Sequence, residues 1–225
     1  MQEYVIIVAG GSGSRMKSNI PKQFIAVNGL PILMHTINAF KSYSSNIFIN
    51  VVLPKEQLTS WKELCMEYGF ETDHQLVVGG ETRFDSVKNG LGHISGEEGL
   101  VAVHDGVRPV ISTEIIKNSF TTALISGTAV TAVAMKDSLR QISAEGKNTA
   151  LDRSSYRLVQ TPQTFRLDWM RTAFSQSYQP TFTDCASVLE SAGYSIHLIE
   201  GAYENIKITT PEDLRWAEIY LIKNT

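Results

Sequence analysis

The sequence predicts an α/β protein: a Rossmann-like, mostly parallel twisted sheet with helices on both faces. Two observations lead there. Apolar, β-branched runs such as YVIIVA (4–9), IFINVVL (47–53) and LVAVHDG (100–106) are nearly continuous rather than alternating, as suits strands covered on both sides. Helical patterns separate these runs, and strand–helix alternation is how right-handed parallel crossovers read in sequence. The chain has 225 residues, 43% of them hydrophobic. That is enough for one sizeable core, so a single domain over 1–225 is expected.

The elements follow in order. Strand 4–9 is succeeded by PILMHTINAF (31–40), a helix opened by Pro31. Strand 47–53 leads to the helical KEQLTSWKELCMEYG (55–69), and HQLVVGG (74–80) to TRFDSVKNGLGHI (82–94). After strand 100–106 comes STEIIKNSFTTALISG (112–127), again helical. From about 135 to 163 the pattern breaks. MKDSLRQISAEGKNTALDRSSYRLVQTPQ is polar and weakly alternating, with turn residues at Glu145-Gly146 and Asn148. It reads as two strands of an extended β-arm at about 136–160, packing on something outside the core or standing as a solvated hairpin. Helices return at 167–178 and 183–193, followed by the strand SIHLIEG (195–201). Thr210, Pro211 and Asp213 make a good helix start: a cap, a proline in first position and an acid in the first turn. Trp61, Trp169 and Trp216 fall in helical patterns and are expected to pack.

Bulk properties exclude several classes. A net charge of −3 gives no global field for nucleic acid or an anionic membrane, so any anion site must be local. No stretch approaches the ~20 apolar residues of a membrane span. The N-terminus has an acidic residue and a short apolar run, unlike a signal peptide. Cys65 and Cys185 show no metal-ligand spacing and are expected as reduced thiols in a cytoplasmic protein.

The chemistry concentrates in VAGGSGSRMKSNIPKQF (8–24). Gly10, Gly11 and Gly13 follow a strand, where ligands of open α/β sheets bind. Glycines there let backbone N–H groups approach an anion. Neither the dinucleotide G-x-G-x-x-G nor the P-loop pattern is complete, because Met16 stands where a third glycine would fall. Arg15 and Lys22 follow this loop in a chain with no cationic excess. A planar guanidinium, a mobile ammonium and a backbone nest together suit a polyphosphate. Pro21 stiffens the approach to Lys22. Asp105 ends an apolar strand, and its burial calls for a partner: Mg²⁺ or ribose on one reading, Arg108 on the other. His104 reads as a hydrogen-bonded structural residue.

These residues carry a family resemblance. VAGGSGSRM…PKQF resembles the opening motif of nucleotidyltransferases that couple a nucleoside triphosphate to a sugar or polyol phosphate. GGETRFDSV (79–87), VHDGVRP (103–109), DR…TPQ (152–163), FTDCAS (182–187) and NIKITTPED (205–213) narrow it to the 2-C-methyl-D-erythritol 4-phosphate cytidylyltransferases, in order over nearly the whole chain. The resemblance implies that CTP and the methylerythritol phosphate become the CDP-alditol and pyrophosphate, a step of non-mevalonate isoprenoid synthesis. It implies Mg²⁺ or another divalent cation, held mainly by the CTP phosphates. It implies that Arg15 and Lys22 stabilise triphosphate charge. Ala9, Gly10, Gly11 and Gly13 would line the nucleotide, with Gly80, Glu81 and Ser86 around cytosine and ribose. Asp105 and Arg108 would sit beside the nucleotide and metal, while Arg153, Lys207 and Ser138 hold the acceptor phosphate. The family forms homodimers with interlocking arms, so Arg153 would serve the partner's site.

This sequence departs from the family at Val8 (commonly proline), Gly10 (alanine), Glu81 (often aspartate), Ser138 (threonine) and Cys185 (small or acidic). Ribitol 5-phosphate cytidylyltransferases share the glycine loop and the lysine segment, which here reads as a strand. KDSLRQ and DR…TPQTF lean toward methylerythritol phosphate. Hexose 1-phosphate nucleotidyltransferases are normally longer. A non-catalytic nucleotide-binding module would have little reason to keep Arg15, Lys22, Arg153 and Lys207 together.

Overall fold

A computed structural model describes residues 1–11, 16 and 20–223, the last without its side chain. Its centre is a seven-stranded sheet. The strands are β1 (Glu3–Val8), β4 (Phe48–Leu53), β5 (Gln75–Val78), β6 (Leu100–Asp105), β7 (Thr128–Ala134), β10 (Arg157–Arg166) and β11 (Leu198–Glu200). Two short strands, β2 (Ala26–Val27) and β3 (Leu30–Pro31), form a separate pair, as do β8 (Leu139–Ile142) and β9 (Asn148–Leu151). The sheet order is β11-β7-β10-β6-β1-β4-β5. All its neighbours are parallel except β10, which runs antiparallel to both β6 and β7.

Strand alternation builds two cores. Val5 and Ile7 of β1 face one side, against α1 (Ile32–Tyr43), α2 (Leu58–Glu67) and α4 (Thr113–Ser126) through Leu33, Phe40, Trp61 and Phe120. Tyr4 and Ile6 face the other, against α3 (Arg83–Gly92), α5 (Leu167–Ala173) and α6 (Cys185–Ser191) through Phe84, Val87, Met170 and Leu189. Complete burial of such side chains contributes roughly 1.5–3 kcal/mol each, which explains why the central strands read as unbroken apolar runs. A smaller cluster joins Val27, Ile32, Val107 and Ile208 to Ala217 of α7 (Pro211–Lys223).

Local hydrogen bonds close the helix ends. Ser112 Oγ accepts from the Ile115 N–H, and Gly127 closes α4 at φ 82°. At α7, Asp213 Oδ2 accepts from the N–H groups of both Thr209 and Thr210.

Four expectations change. Residues 128–134, to which the sequence pattern assigned no element, form β7, buried except at Ala134. Its run of small Ala, Thr and Val looks bland, but Thr128 and Thr131 bury their hydroxyls in hydrogen bonds. Residues 157–160 were expected in the arm, yet they belong to β10 inside the sheet. The buried Gln and Thr side chains of β10 look solvated in sequence and are satisfied internally. Pro162, which has no N–H to give, lies where the β10–β7 register shifts. The lysine segment 205–209 has no regular secondary structure. Trp216 is 56% exposed, stacked on Tyr220 rather than buried.

Candidate active site

The parallel strands bring their C-terminal ends to one edge. Beyond β1 lie Ala9, Gly10 and Gly11; beyond β4, Pro54; beyond β5, Gly79 and Gly80; and β6 ends on Asp105. The chain proceeds from β1 to β4 on one side and returns to β6 on the other. The crevice above β1 and β6 is therefore the switch point where such sheets bind ligands. A cavity of about 260 Å³ opens there. Its lining includes Ala9, Gly10, Gly11, Lys22, Gly80, Glu81, Ser86, Asp105 and Lys207, all singled out in the sequence, and also Gln23, Thr82 and Arg83.

Each wall has a local cause. Lys22 opens a 3-10 turn after Pro21, whose φ of −52° and ψ of 130° set its direction. Its Nζ donates to the Ile208 carbonyl at 3.2 Å, linking the glycine-loop wall to the lysine segment. Next to it, buried Gln23 donates from Nε2 to the Ala9 carbonyl at 2.7 Å, fixing the strand exit. On the opposite wall, Thr82 caps α3 through a reciprocal box with Asp85. Ser86 Oγ accepts from the Gly80 N–H at 3.1 Å. A Cβ on Gly80 would come within 2.3 Å of the Asp85 Cβ, so only glycine fits this turn.

Asp105 is the electrostatic hub. Oδ2 accepts from Arg108 Nε at 3.0 Å and lies 3.2 Å from Lys207 Nζ. Oδ1 is 4.0 Å from Arg83 Nη2. Burial alone would raise the pKa of this carboxyl. Lys207, Arg83 and Arg108 together outweigh burial and hold it well below the usual carboxylate range. Arg108 stands behind Asp105 rather than on the lining, and its Nη1 also donates to the Asn205 carbonyl at 2.8 Å. Asn205 Nδ2 in turn bonds Gln160 Oε1 and the Thr161 carbonyl, and the Ile208 N–H donates to the Val107 carbonyl. An irregular segment is thereby fixed on both sides of Lys207.

His104 is fully buried, with its ring edge-on to Phe40. Its Nε2 is 3.2 Å from the Arg108 carbonyl, so that nitrogen carries the proton. Burial pushes its pKa down to about 4. A neutral imidazole facing the core is a structural residue, in line with the sequence reading.

Besides Arg108, two sequence-predicted residues that the structure describes do not line this cavity. Arg153 and Ser138 are exposed and lie with the arm, where Arg153 Nη1 donates to the Lys136 carbonyl. Neither lines the cavity of its own chain. Arg15 falls outside the described residues, as does Gly13. Sequence reasoning passed over Arg83, although GGETRFDSV contains it. The available signal was its place directly after a helix cap at a strand's C-terminal end.

The 2-C-methyl-D-erythritol 4-phosphate cytidylyltransferase family model matches residues 4–223. The chain belongs to this family. A Bacteroides thetaiotaomicron 2-C-methyl-D-erythritol 4-phosphate cytidylyltransferase is 48% identical over 96% of this chain and 97% of its own. Among solved structures, 4-diphosphocytidyl-2C-methyl-D-erythritol synthase from Anaerococcus prevotii superposes with a TM-score of 0.83 at 26% identity, over 98% of both chains. The Francisella tularensis 2-C-methyl-D-erythritol 4-phosphate cytidylyltransferase gives 0.79 at 32% identity, over 98% of this chain and all of that one. The likeness is to proteins named for methylerythritol phosphate, which favours that acceptor over ribitol phosphate.

Proposed function

We propose that this chain transfers CMP from CTP to 2-C-methyl-D-erythritol 4-phosphate, giving 4-diphosphocytidyl-2-C-methyl-D-erythritol and pyrophosphate in isoprenoid biosynthesis. The observation that carries this reading is one cavity at the strand ends, with a glycine-rich wall, Lys22 and Lys207 around it, in a member of this family.

An oxygen of the acceptor phosphate attacks the α-phosphorus of CTP. The new P–O bond forms as the bond to the β-phosphate bridging oxygen breaks, and pyrophosphate leaves with that electron pair. The acceptor phosphate has a second pKa of about 6 and is largely ionised at neutral pH, so no general base is needed. The barrier lies in bringing two anions together, and catalysis is positioning plus charge neutralisation. The neutral, inward-facing His104 agrees with that. Lys22 and Arg15 stabilise charge on the triphosphate. The backbone at Ala9, Gly10, Gly11 and Gly13 approaches the nucleotide, and Gly80, Glu81 and Ser86 bound the base and ribose. Lys207 holds the acceptor phosphate, with Arg153 and Ser138 supplied by the arm of a second subunit in a homodimer.

Among the described residues, the lining carries only Asp105 and Glu81 as carboxylates, and no cluster of three or more His, Cys, Asp or Glu occurs. That is too few for an all-protein metal cage, but it fits Mg²⁺, which takes one or two carboxylates plus substrate phosphates. Asp105 would hold the ion together with the CTP phosphates, where Mg²⁺ neutralises triphosphate charge. No helix among the described residues is long and apolar enough to cross a membrane. We place the reaction in the cytoplasm, with small-molecule substrates and no nucleic acid.

Pyrophosphate release, measured in parallel with CTP and each alditol phosphate, tests this reading. Methylerythritol phosphate should exceed ribitol 5-phosphate in kcat/KM by at least about tenfold. CTP should likewise exceed UTP, ATP and GTP. Faster release with ribitol phosphate would contradict the assignment.

A further inference from the structure

Arg83 is poorly satisfied for a half-buried guanidinium. It offers five N–H donors. Its one hydrogen bond among the described residues is from Nη1 to Cys185 Sγ at 3.3 Å, and a thiol sulfur is a weak acceptor. Its nearest carboxylate, Asp105 Oδ1, is 4.0 Å from Nη2, beyond hydrogen-bond reach. The side chain keeps 30% exposure and belongs to the cavity lining, between the Gly80–Ser86 wall and Asp105. Unspent guanidinium donors beside a cavity want oxygen acceptors.

Cys185 is completely buried and is not on the cavity lining. Its place is tightly determined. Gln163 Oε1 accepts from the N–H groups of Cys185 and Ala186, while Gln163 Nε2 donates to Asp184 Oδ2. Asp184 caps α6 through a reciprocal box with Ser187. β10 therefore fixes the start of α6, α6 fixes the thiol, and the thiol fixes one edge of the guanidinium. Because sulfur accepts weakly, it orients Arg83 without using up its remaining donors.

We propose that Arg83 binds an acceptor oxygen of the nucleotide, ribose or phosphate, and that Cys185 is a positioning residue acting through it. The inference rests on the CTP reading above. It adds a guanidinium to Lys22 and Lys207 on the described lining, balanced only in part by Asp105, where a polyanion is to bind.

Steady-state kinetics on Arg83→Lys, Cys185→Ala and Cys185→Ser, with melting curves, test it. Wild-type turnover of CTP in the same assay checks the underlying reading separately. Arg83→Lys keeps the charge but loses the fork, and should raise the KM for CTP by about tenfold or more, with a smaller change in kcat. Cys185→Ala should raise that KM several-fold. Cys185→Ser, which keeps an acceptor, should return it to within about twofold of wild type. The KM for the acceptor phosphate should stay put in all three. Competition by cytidine, CMP and CTP separates the sources: a loss already seen with cytidine assigns the ribose, and one appearing only with the phosphorylated ligands assigns the phosphates. A normal KM for CTP in folded Arg83→Lys would overturn the proposal. A Cys185→Ala variant with a lowered melting temperature but an unchanged KM would reduce Cys185 to a packing residue.

Discussion

The cavity and the arm are built by opposite means. At the strand ends, residues far apart in sequence are drawn together by a buried sheet. Asp105, Arg108, Asn205 and Lys22 are each nine-tenths or more buried, and each is held by named hydrogen bonds or ion pairs. The arm is a two-stranded ladder of nearby residues, Leu139 pairing Leu151 and Ile142 pairing Asn148, exposed along most of its length. An isolated two-stranded hairpin is marginal in water. Ile142, 73% exposed at the arm, has no core of its own to enter. The contrast teaches that the nucleotide half of the proposed site is organised within one chain, whereas Arg153 and Ser138 on the acceptor half need something else to complete them.

The largest effect should come from the preorganised half. Lys22→Ala removes charge stabilisation that grows toward the transition state, so kcat should fall by roughly 100-fold or more. The melting temperature tells whether the fold survives, and near-normal turnover in a folded variant would break the proposed role. A smaller and different loss is expected on the arm. Arg153→Ala should raise the KM for the acceptor phosphate by about tenfold, with little change in the KM for CTP. Its melting temperature should be nearly unchanged, because the side chain is exposed. An effect on CTP alone would erase the division between the two halves.

The smallest effect on chemistry concerns His104. His104→Asn should leave kcat within about threefold of wild type. Its signature lies in stability. The imidazole pKa is about 4 when folded, against an ordinary 6.5. The folded state therefore resists protonation that the unfolded chain accepts. The resulting stability is fully present above pH 6.5 and is lost as pH falls toward 4, by up to about 3 kcal/mol. Denaturant unfolding of wild type should show that slope, and the variant should lack it. Asp105 acts lower, since its depressed pKa costs stability only as pH drops below the usual carboxylate range.

What was legible in the sequence follows from the same physics. Continuous apolar runs revealed β1, β4 and β6 because both faces of those strands are buried. β10 was hidden because its buried positions include Gln160, Thr161, Gln163 and Thr164, whose polarity is satisfied by partners that only the folded chain supplies. Lys22 and Lys207 stood out through their motifs. Arg83 did not, because its importance lies in the distance to Asp105 and in a thiol a hundred positions away. The segment around Lys207 looked like a strand because NIKIT alternates. Its backbone instead bonds to Val107 and Ala202, and its Asn205 side chain reaches β10.

The central claim is that one reaction site draws on two chains. Subunit exchange between the impaired Lys22→Ala and Arg153→Ala proteins, assayed with the acceptor phosphate well below its KM, tests it most directly, with heterodimer formation followed by native mass spectrometry. In a heterodimer, one site would unite an intact Lys22 with the partner's intact Arg153. About a quarter of wild-type activity should therefore return at full exchange of equal amounts. If heterodimers form and no activity returns, Arg153 does not serve the partner's site, and the two-chain account is wrong.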